Sequence, residues 1–339
     1  MDSVTQLLLG AAVAGAVAGK RTTPKVLAAG AILGTVPDLD VFISYGDPLQ
    51  DMIQHRGFSH SLFVLFPFSL LLAFAWQQWK KSDWSFLQLW AVIAAALMTH
   101  PLLDSFTSYG TQLFWPLDVA SVAISSIFII DPLYTLPLLI LVIASLMWRD
   151  KAAYLCRVSL VISSAYLMWT VAAQQIVTDR VLAEIQGTSR EGAAILVTPT
   201  PLNSVLWRTV VITESSYWEG LTSLLDSSSE IEMIEHPKGR WDQGINDSDY
   251  KQLEAFTRGF VSISRQQDQL KVTDLRLGMA GYHPFSFYLA QQVESRWQSI
   301  TPIKVDTAAI RIKDVPAAWL RLLGNKEFDA NLCHKSECG

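Results

Sequence analysis

Apolar residues run almost unbroken through the first half of the chain and give way to shorter alternating patterns in the second. Stretches approaching the roughly 20 apolar residues that cross a bilayer fall near 3–19, 25–43, 59–78, 86–103, 126–148 and 157–176. The pattern predicts about six helices. The first two are short or interrupted, because Pro37 lacks a backbone donor and disfavours helical geometry at Val36, and two aspartates follow. Both fit a tilted or half-inserted helix. No positive charge precedes the first run and Asp2 is negative, so the N-terminus reads as a membrane helix and not as a signal peptide.

Beyond Ile176 the texture changes, with Asp, Glu, Lys and Arg recurring every few residues as on a soluble surface. The expected division is a membrane-embedded helical domain at 1–177 and a small soluble α+β domain at 178–339. Strand-like alternation marks Val205 to Thr213, with partners at Ser216 to Leu225 and Glu230 to Glu235. Helical periodicity is expected over Ser248 to Ser264 and Pro284 to Trp297. His236 and His283 each adjoin a proline in expected loops, where an ordinary surface role is foreseen.

Composition agrees with this partition. Half of the 339 residues are hydrophobic and only 17% are charged, too apolar for an ordinary soluble enzyme. A net charge of -5 without any basic, aromatic-interleaved stripe argues against a nucleic-acid partner. Nothing resembles a phosphate-cradling glycine loop, and the spacings Gly15 to Gly19 and Gly30 to Gly34 read as close helix packing. Cys333 and Cys338 could form a disulfide, share a zinc ion with His334 or end in a free tail, whereas Cys156 reads as a small apolar residue.

Loop charges orient the helices. Lys20, Arg21 and Lys25, then Lys80 and Lys81, then Arg149, Lys151 and Arg157 share one side of a six-span arrangement, and the opposite short loops hold Arg56 alone. The basic side is expected to be cytoplasmic. The chain is thus expected to be a multi-pass membrane protein with both termini and the C-terminal domain on the exterior side.

This orientation, reached without the histidines, places every His/Asp group of the first half on the exterior side. The groups read PDLD (Pro37 to Asp40), HRGFSHS (His55 to Ser61) and HPLLD (His100 to Asp104). Ionisable side chains at the edge of apolar helices cost free energy unless partnered. A metal ion is the expected partner. His100 and Asp104 lie four apart on one helical face; Asp38 and Asp40 lie two apart, where an extended backbone would aim both the same way; His55 and His60 flank a turn in which Ser59 is a candidate N-cap.

The expected ligands are therefore Asp38, Asp40, His55, His60, His100 and Asp104, a mixed set that suits zinc, manganese or iron(II), and enough for one or two ions. A site with an open position can lower the pKa of bound water to about 7, and paired ions can clamp a phosphoryl displacement. Asp40 and Arg56 are the candidate catalytic residues. Arg56 would either hold a phosphate through a bidentate pair or make a salt bridge to a nearby aspartate. Ser59 and Thr107 are expected to support the ligands, Ser61 to cap or support, and Asp131 either to join the site or simply to begin a helix.

At PDLD, HRGFSHS and HPLLDSFTSYG the chain resembles the YdjM-like family of membrane-bound metal-dependent hydrolases, a bacterial inner-membrane group. The motifs cover roughly residues 1–150. The resemblance implies that the His-x-x-x-Asp element at His100 and Asp104 is similar to part of the zinc site of the all-helical zinc-dependent phospholipases C. One position departs from the family's pattern, in which a histidine follows an early threonine: here Thr5 is followed by Gln6, a poor ligand beside imidazole. Gln6 is expected to support the site from behind the ligands, or to mark a lost metal position.

Three functions follow as expectations. The leading one is hydrolysis of a phosphoester at the outer membrane face, with membrane lipids as surroundings and a phosphorylated, lipid-linked substrate. The alternatives are a structural or sensory metal protein and a transporter; the last would place charges at mid-membrane on several helices, whereas here they cluster at one edge.

Overall fold

The computed structural model describes residues 1–80, 83–242, 245–279, 281–306 and 314–334. It is a helical N-terminal part followed by two antiparallel sheets, which matches a helical membrane domain with a small α+β domain. The chain divides into two compact units: 1–43, 54–170 and 201–203 in the first, and 44–53, 171–200 and 204–339 in the second.

The helices of the first part are α1 (Ser3–Ala18), α2 (Pro24–Thr35), α3 (Pro48–Gln54), α4 (Leu62–Trp79), α5 (Phe86–Asp104), α6 (Pro132–Met147) and α7 (Ala152–Ile185). Among the described residues, four apolar segments are long enough to cross a membrane: Ser3–Arg21, Leu62–Trp79, Phe86–Asp104 and Arg149–Ile185. Pro24–Thr35 and Pro132–Met147 are apolar but shorter. The expected second span stops at Thr35 because Pro37 opens a separate 3-10 turn, Pro37–Phe42. The expected fifth span starts only at Pro132, where Asp131 accepts from the Leu133 and Tyr134 amides as an N-cap.

Glycines set the closest helix crossing. A methyl group on Gly10 would lie 2.3 Å from the Gly30 carbonyl oxygen, so α1 and α2 approach backbone to backbone. Gly30 and Gly34 thus serve as their spacing foretold. Gly19 does not: it ends α1 with φ 60, a conformation that favours glycine. Around this contact Leu8, Leu9, Ala12, Val13, Leu27, Leu103, Ile127 and Leu138 form one buried core.

At one end of this bundle the basic loops meet, Arg21 donating to the Asp83 carbonyl and Arg157 to that of Ala16. Lys81 lies outside the described residues. The other end gathers the start of α1, the exit of α2, the entry of α4 and the end of α5, where the His/Asp motifs lie.

In the second unit β1 (Ala194–Pro199), β2 (Leu206–Ile212), β3 (Ser216–Ser223) and β4 (Met233–Pro237) form one sheet in that order. After α8 (Ser248–Phe256), β5 (Val261–Gln266), β6 (Gln269–Asp274), β7 (Ser286–Val293) and β8 (Arg296–Lys304) form the other, and α9 (Val315–Leu322) follows. Ala173, Val177, Val181 and Ile185, spaced by four along α7, pack against Val197, Trp207 and Val211 of the first sheet. That stripe explains why α7 continues beyond the expected span at 157–176.

Two expected helices are corrected. The first ends at Phe256, after which Arg258 and Gly259 adopt positive φ and the chain enters β5. Residues 286–293 form a strand, not a helix, because Glu294 and Ser295 both take positive φ (48° and 65°) and turn β7 back into β8 as a tight hairpin. His236 lies in β4, stacked on Tyr217, and so is not in a loop; His283 does lie in a loop, half-buried, with Nδ1 3.0 Å from the Leu277 carbonyl oxygen. Cys338 lies outside the described residues, and Cys156 is a buried free thiol.

Candidate metal centre

Four side chains converge at the motif end of the first unit. Asp38, from the turn after α2, His60, from the 3-10 turn Phe58–His60 before α4, and His100 and Asp104, from the last turns of α5, bring one ligand atom each within 4.8 Å of one another. His60 and His100 hold their Nε2 atoms 3.1 Å apart. Asp38 Oδ1 lies 3.4 Å from the first and 3.2 Å from the second, and Asp104 Oδ2 lies 3.5 and 3.6 Å from them. A tetrahedral ion with bonds of ~2.0–2.1 Å separates its ligands by ~3.3 Å. The observed edges are those of such a site.

Partners behind the ligands fix which atoms face inward. His100 Nδ1 lies 2.6 Å from the Gly34 carbonyl oxygen, which can only accept, so Nδ1 carries a proton and, in the neutral ring, Nε2 presents its lone pair. Ser59 donates to Asp40 Oδ2 at 2.6 Å, and its oxygen is then left to accept from His60 Nδ1 at 2.9 Å. In the neutral ring His60 Nε2 is then also a lone pair. Two imidazole nitrogens and two carboxylate oxygens thus surround one point, and Asp104 Oδ2, fully buried, has no hydrogen-bond partner among the described residues. A divalent cation would suit that arrangement.

Asp104 is further held by Gln6, whose Nε2 donates to Oδ1 at 2.8 Å and to the His100 carbonyl at 3.2 Å. The Met1 ammonium group also pairs with Oδ1. Gln6 therefore stands behind a ligand rather than among the ligands. Arg56 Nε lies 3.0 Å from Asp104 Oδ2 as an ion pair without hydrogen-bond alignment, while Nη1 donates to Thr107, which donates to the Asp104 carbonyl. Of the two expected roles for Arg56, the salt bridge is present, and φ 62 at this buried residue is a strained backbone held in place by its surroundings.

A second group of potential ligands shares Asp38: Asp38, Asp40 and His55. His55 Nδ1 lies 3.0 Å from Asp40 Oδ1, and the Arg56 amide donates to Oδ2 at 3.0 Å. The two aspartates thus serve different neighbours, because the segment is a 3-10 turn and not the expected extended one. Asp38 faces the inner imidazoles His60 and His100, whereas Asp40 faces His55 and Ser59. Ser61, not Ser59, caps α4. Asp131 caps α6 and accepts from the Tyr166 hydroxyl at 2.8 Å, and it is in neither ligand group.

Sequence reasoning missed Gly34 as the group that orients His100 and Tyr166 as the partner of Asp131. Neither carried a signal, since a backbone carbonyl and a lone tyrosine gain these roles only through packing.

Apolar helices long enough to cross a bilayer, gathered around a buried His/Asp cluster at one end, define a helical membrane protein whose distinguishing feature is a cluster that could hold a metal ion. The chain belongs to the YdjM inner membrane protein family, whose model matches residues 1–177. It is 36% identical over 93 residues to the inner membrane protein YbcI of Escherichia coli (strain K12), a match spanning 27% of this chain and about half (53%) of that protein. It is also 24% identical over 256 residues to the uncharacterized protein YfhP of Bacillus subtilis (strain 168), covering 74% of this chain and 76% of that one. No solved structure matches the chain. Family and apolar helices together support an inner-membrane location.

Proposed function

We propose that this protein is a membrane-bound, metal-dependent hydrolase acting on a phosphoester, lipid-linked in the simplest case, at the periplasmic face of the inner membrane. The observation that carries the reading is the converging set Asp38, His60, His100 and Asp104, whose donor types and spacing fit zinc, with manganese or iron(II) as alternatives. A bound divalent ion would supply a Lewis acid that polarises a phosphoryl oxygen and acidifies water.

The chain's own residues would do the rest. Asp38, His60, His100 and Asp104 hold the ion. Gly34, Ser59 and Gln6 set the orientation of His100, His60 and Asp104 from behind. Arg56, the sole cation of the motif loops, is held beside the ligands by Thr107 and would attract the anionic phosphoryl group. Asp40 fixes both His55 and the Ser59–His60 pair, so its catalytic part would be positioning.

A second reading is favoured by one observation. Four protein ligands close a tetrahedron, and a closed site is the mark of a structural ion. The test is metal analysis of the purified protein together with a phosphoester hydrolysis screen. Metal-dependent turnover supports the hydrolase, whereas bound metal without turnover on any ester leaves the structural reading.

A further inference from the structure

We propose that the centre holds two divalent cations that share Asp38: one closed in by Asp38, His60, His100 and Asp104, the other held by Asp38, Asp40 and His55 and open to substrate. This rests on the metal-dependent reading above and says where in it the reaction takes place.

The two ligand groups differ in ways that assign different work to each. In the first group His60, His100 and Asp104 are fully buried and all four tetrahedral positions belong to the protein. Such a site binds tightly but has no place for a substrate oxygen. The second group has three protein ligands, and its histidine is the one whose side chain reaches solvent, at 27% exposure against 0% for His60 and His100. Three ligands with an accessible side are the pattern of a reactive ion.

Asp38 is the only residue common to both groups, and it is half-buried between them. A carboxylate has two oxygens. Oδ1 faces His60 and His100, and bridging by such a group is suited to ions about 3.5–4 Å apart, the spacing that clamps both oxygens of a phosphoryl displacement. The 3.0 Å between His55 Nδ1 and Asp40 Oδ1 also fits a coordination edge, since octahedral ligands at ~2.1 Å lie ~3.0 Å apart. Binding there needs only the other neutral tautomer of His55, with its proton on Nε2. Asp40 keeps the Ser59 and Arg56 hydrogen bonds on its second oxygen throughout. Arg56 then lies between the groups, its amide on Asp40 and its guanidinium on Asp104.

The experiment is metal stoichiometry on the full chain in detergent micelles, loaded with Zn²⁺ or Mn²⁺ alone and freed of excess ion by gel filtration. Wild type should hold two ions per chain and His55→Ala one, with the remaining ion resisting chelation. Loaded with Mn²⁺, wild type should give the exchange-coupled electron paramagnetic resonance spectrum of a bridged pair, and His55→Ala the spectrum of an isolated ion. Asp40→Asn provides a second variant should His55→Ala fail to fold. Saturation of wild type at one ion, or two ions retained in both variants, overturns the proposal; the latter would make His55 and Asp40 a hydrogen-bonded pair only. Its failure and that of the hydrolase reading are separable. Turnover with one ion sinks the second cation alone, and two coupled ions with no hydrolysis of any phosphoester sink the hydrolase alone.

Discussion

His60 and His100 point Nε2 at Nε2 across 3.1 Å, with the Nδ1 atom of each already engaged from behind. Two neutral imidazoles in those tautomers repel at that distance, and two carboxylate oxygens close the same space. Removing either ring should remove a ligand and not merely a contact. We expect His60→Ala and His100→Ala to lose bound zinc by more than about 100-fold in affinity, measured by competition with a chromophoric chelator, with the helical circular dichroism signal retained. Unchanged affinity in both would falsify the four-ligand assignment.

Gln6 tests the support behind the ligands. Its amide holds Asp104 Oδ1, which leaves Oδ2 directed inward. Gln6→Ala should weaken metal binding by about 10–100-fold, the usual effect of losing such a partner, while stoichiometry at saturating metal stays the same. A variant that lowers the number of ions instead would show Gln6 to be a ligand.

Gly34 joins the packing of the bundle to the chemistry of the site. A methyl group there would lie 2.7 Å from the Gln6 carbonyl oxygen and 2.9 Å from Gly10 Cα, and both neighbours are backbone that cannot turn aside. The same residue supplies the carbonyl that orients His100. Gly34→Ala should therefore destabilise by about 1–3 kcal/mol, as overpacking does. It should also reduce metal affinity. Thermal unfolding in detergent and chelator competition read the two effects separately, and a variant with normal Tm and normal affinity would contradict the close crossing.

What the sequence disclosed about the site was its list of side chains, because ionisable residues are conspicuous in an apolar chain. Asp38, His60, His100 and Asp104 were all legible in this way. The division of labour was not legible, since Asp38 and Asp40 differ only in which side of a 3-10 turn they occupy. The orienting role of Gly34 depends on α1 and α2 touching, which no local pattern records. In the second unit β2, β3 and β4 were visible from their alternation. β7 was not: Phe287, Tyr288 and Leu289 followed by Ala-Gln-Gln imitate a helix, and the deciding signal was a hairpin at Glu294-Ser295 without glycine or asparagine.

Acid should loosen the second unit before it reaches any carboxylate. Burial, aided by Arg208, lowers the pKa of His283 below its ordinary 6.5. The unfolded imidazole takes up a proton below that value and the folded one does not, so stability falls as pH drops from about 6.5 until the folded group protonates. The slope for one proton is at most about 1.4 kcal/mol per pH unit. Glu219 follows at lower pH. Burial raises its pKa but the Arg208 ion pair outweighs that, so its contribution is present above 4.5 and lost as pH falls through the lowered folded value. We expect His283→Gln to flatten the first decline and leave the second, measured by hydrogen exchange of the β2 and β3 amides between pH 7 and about 4. An unaltered slope near pH 6 would assign that phase to another group.

Orientation is the remaining prediction, and it follows from charge rather than from the metal site. Arg21 and Arg157 secure one end of the helices through backbone carbonyls of Asp83 and Ala16, and that end also carries Lys20, Lys25, Lys80, Arg149 and Lys151. The motif end has Arg56 alone among its short loops, buried against Asp104. Retention of Lys and Arg in the cytoplasm would then leave the site and the sheets outside. In a cysteine-free background, a membrane-impermeant maleimide added to intact cells should label Ser189→Cys, exposed just beyond α7, and not Lys25→Cys, exposed at the start of α2. Permeabilised cells should label both. The reverse pattern in intact cells would place the site in the cytoplasm and confine its substrates to those available there, whereas the expected pattern makes it accessible to phosphoesters presented at the outer leaflet.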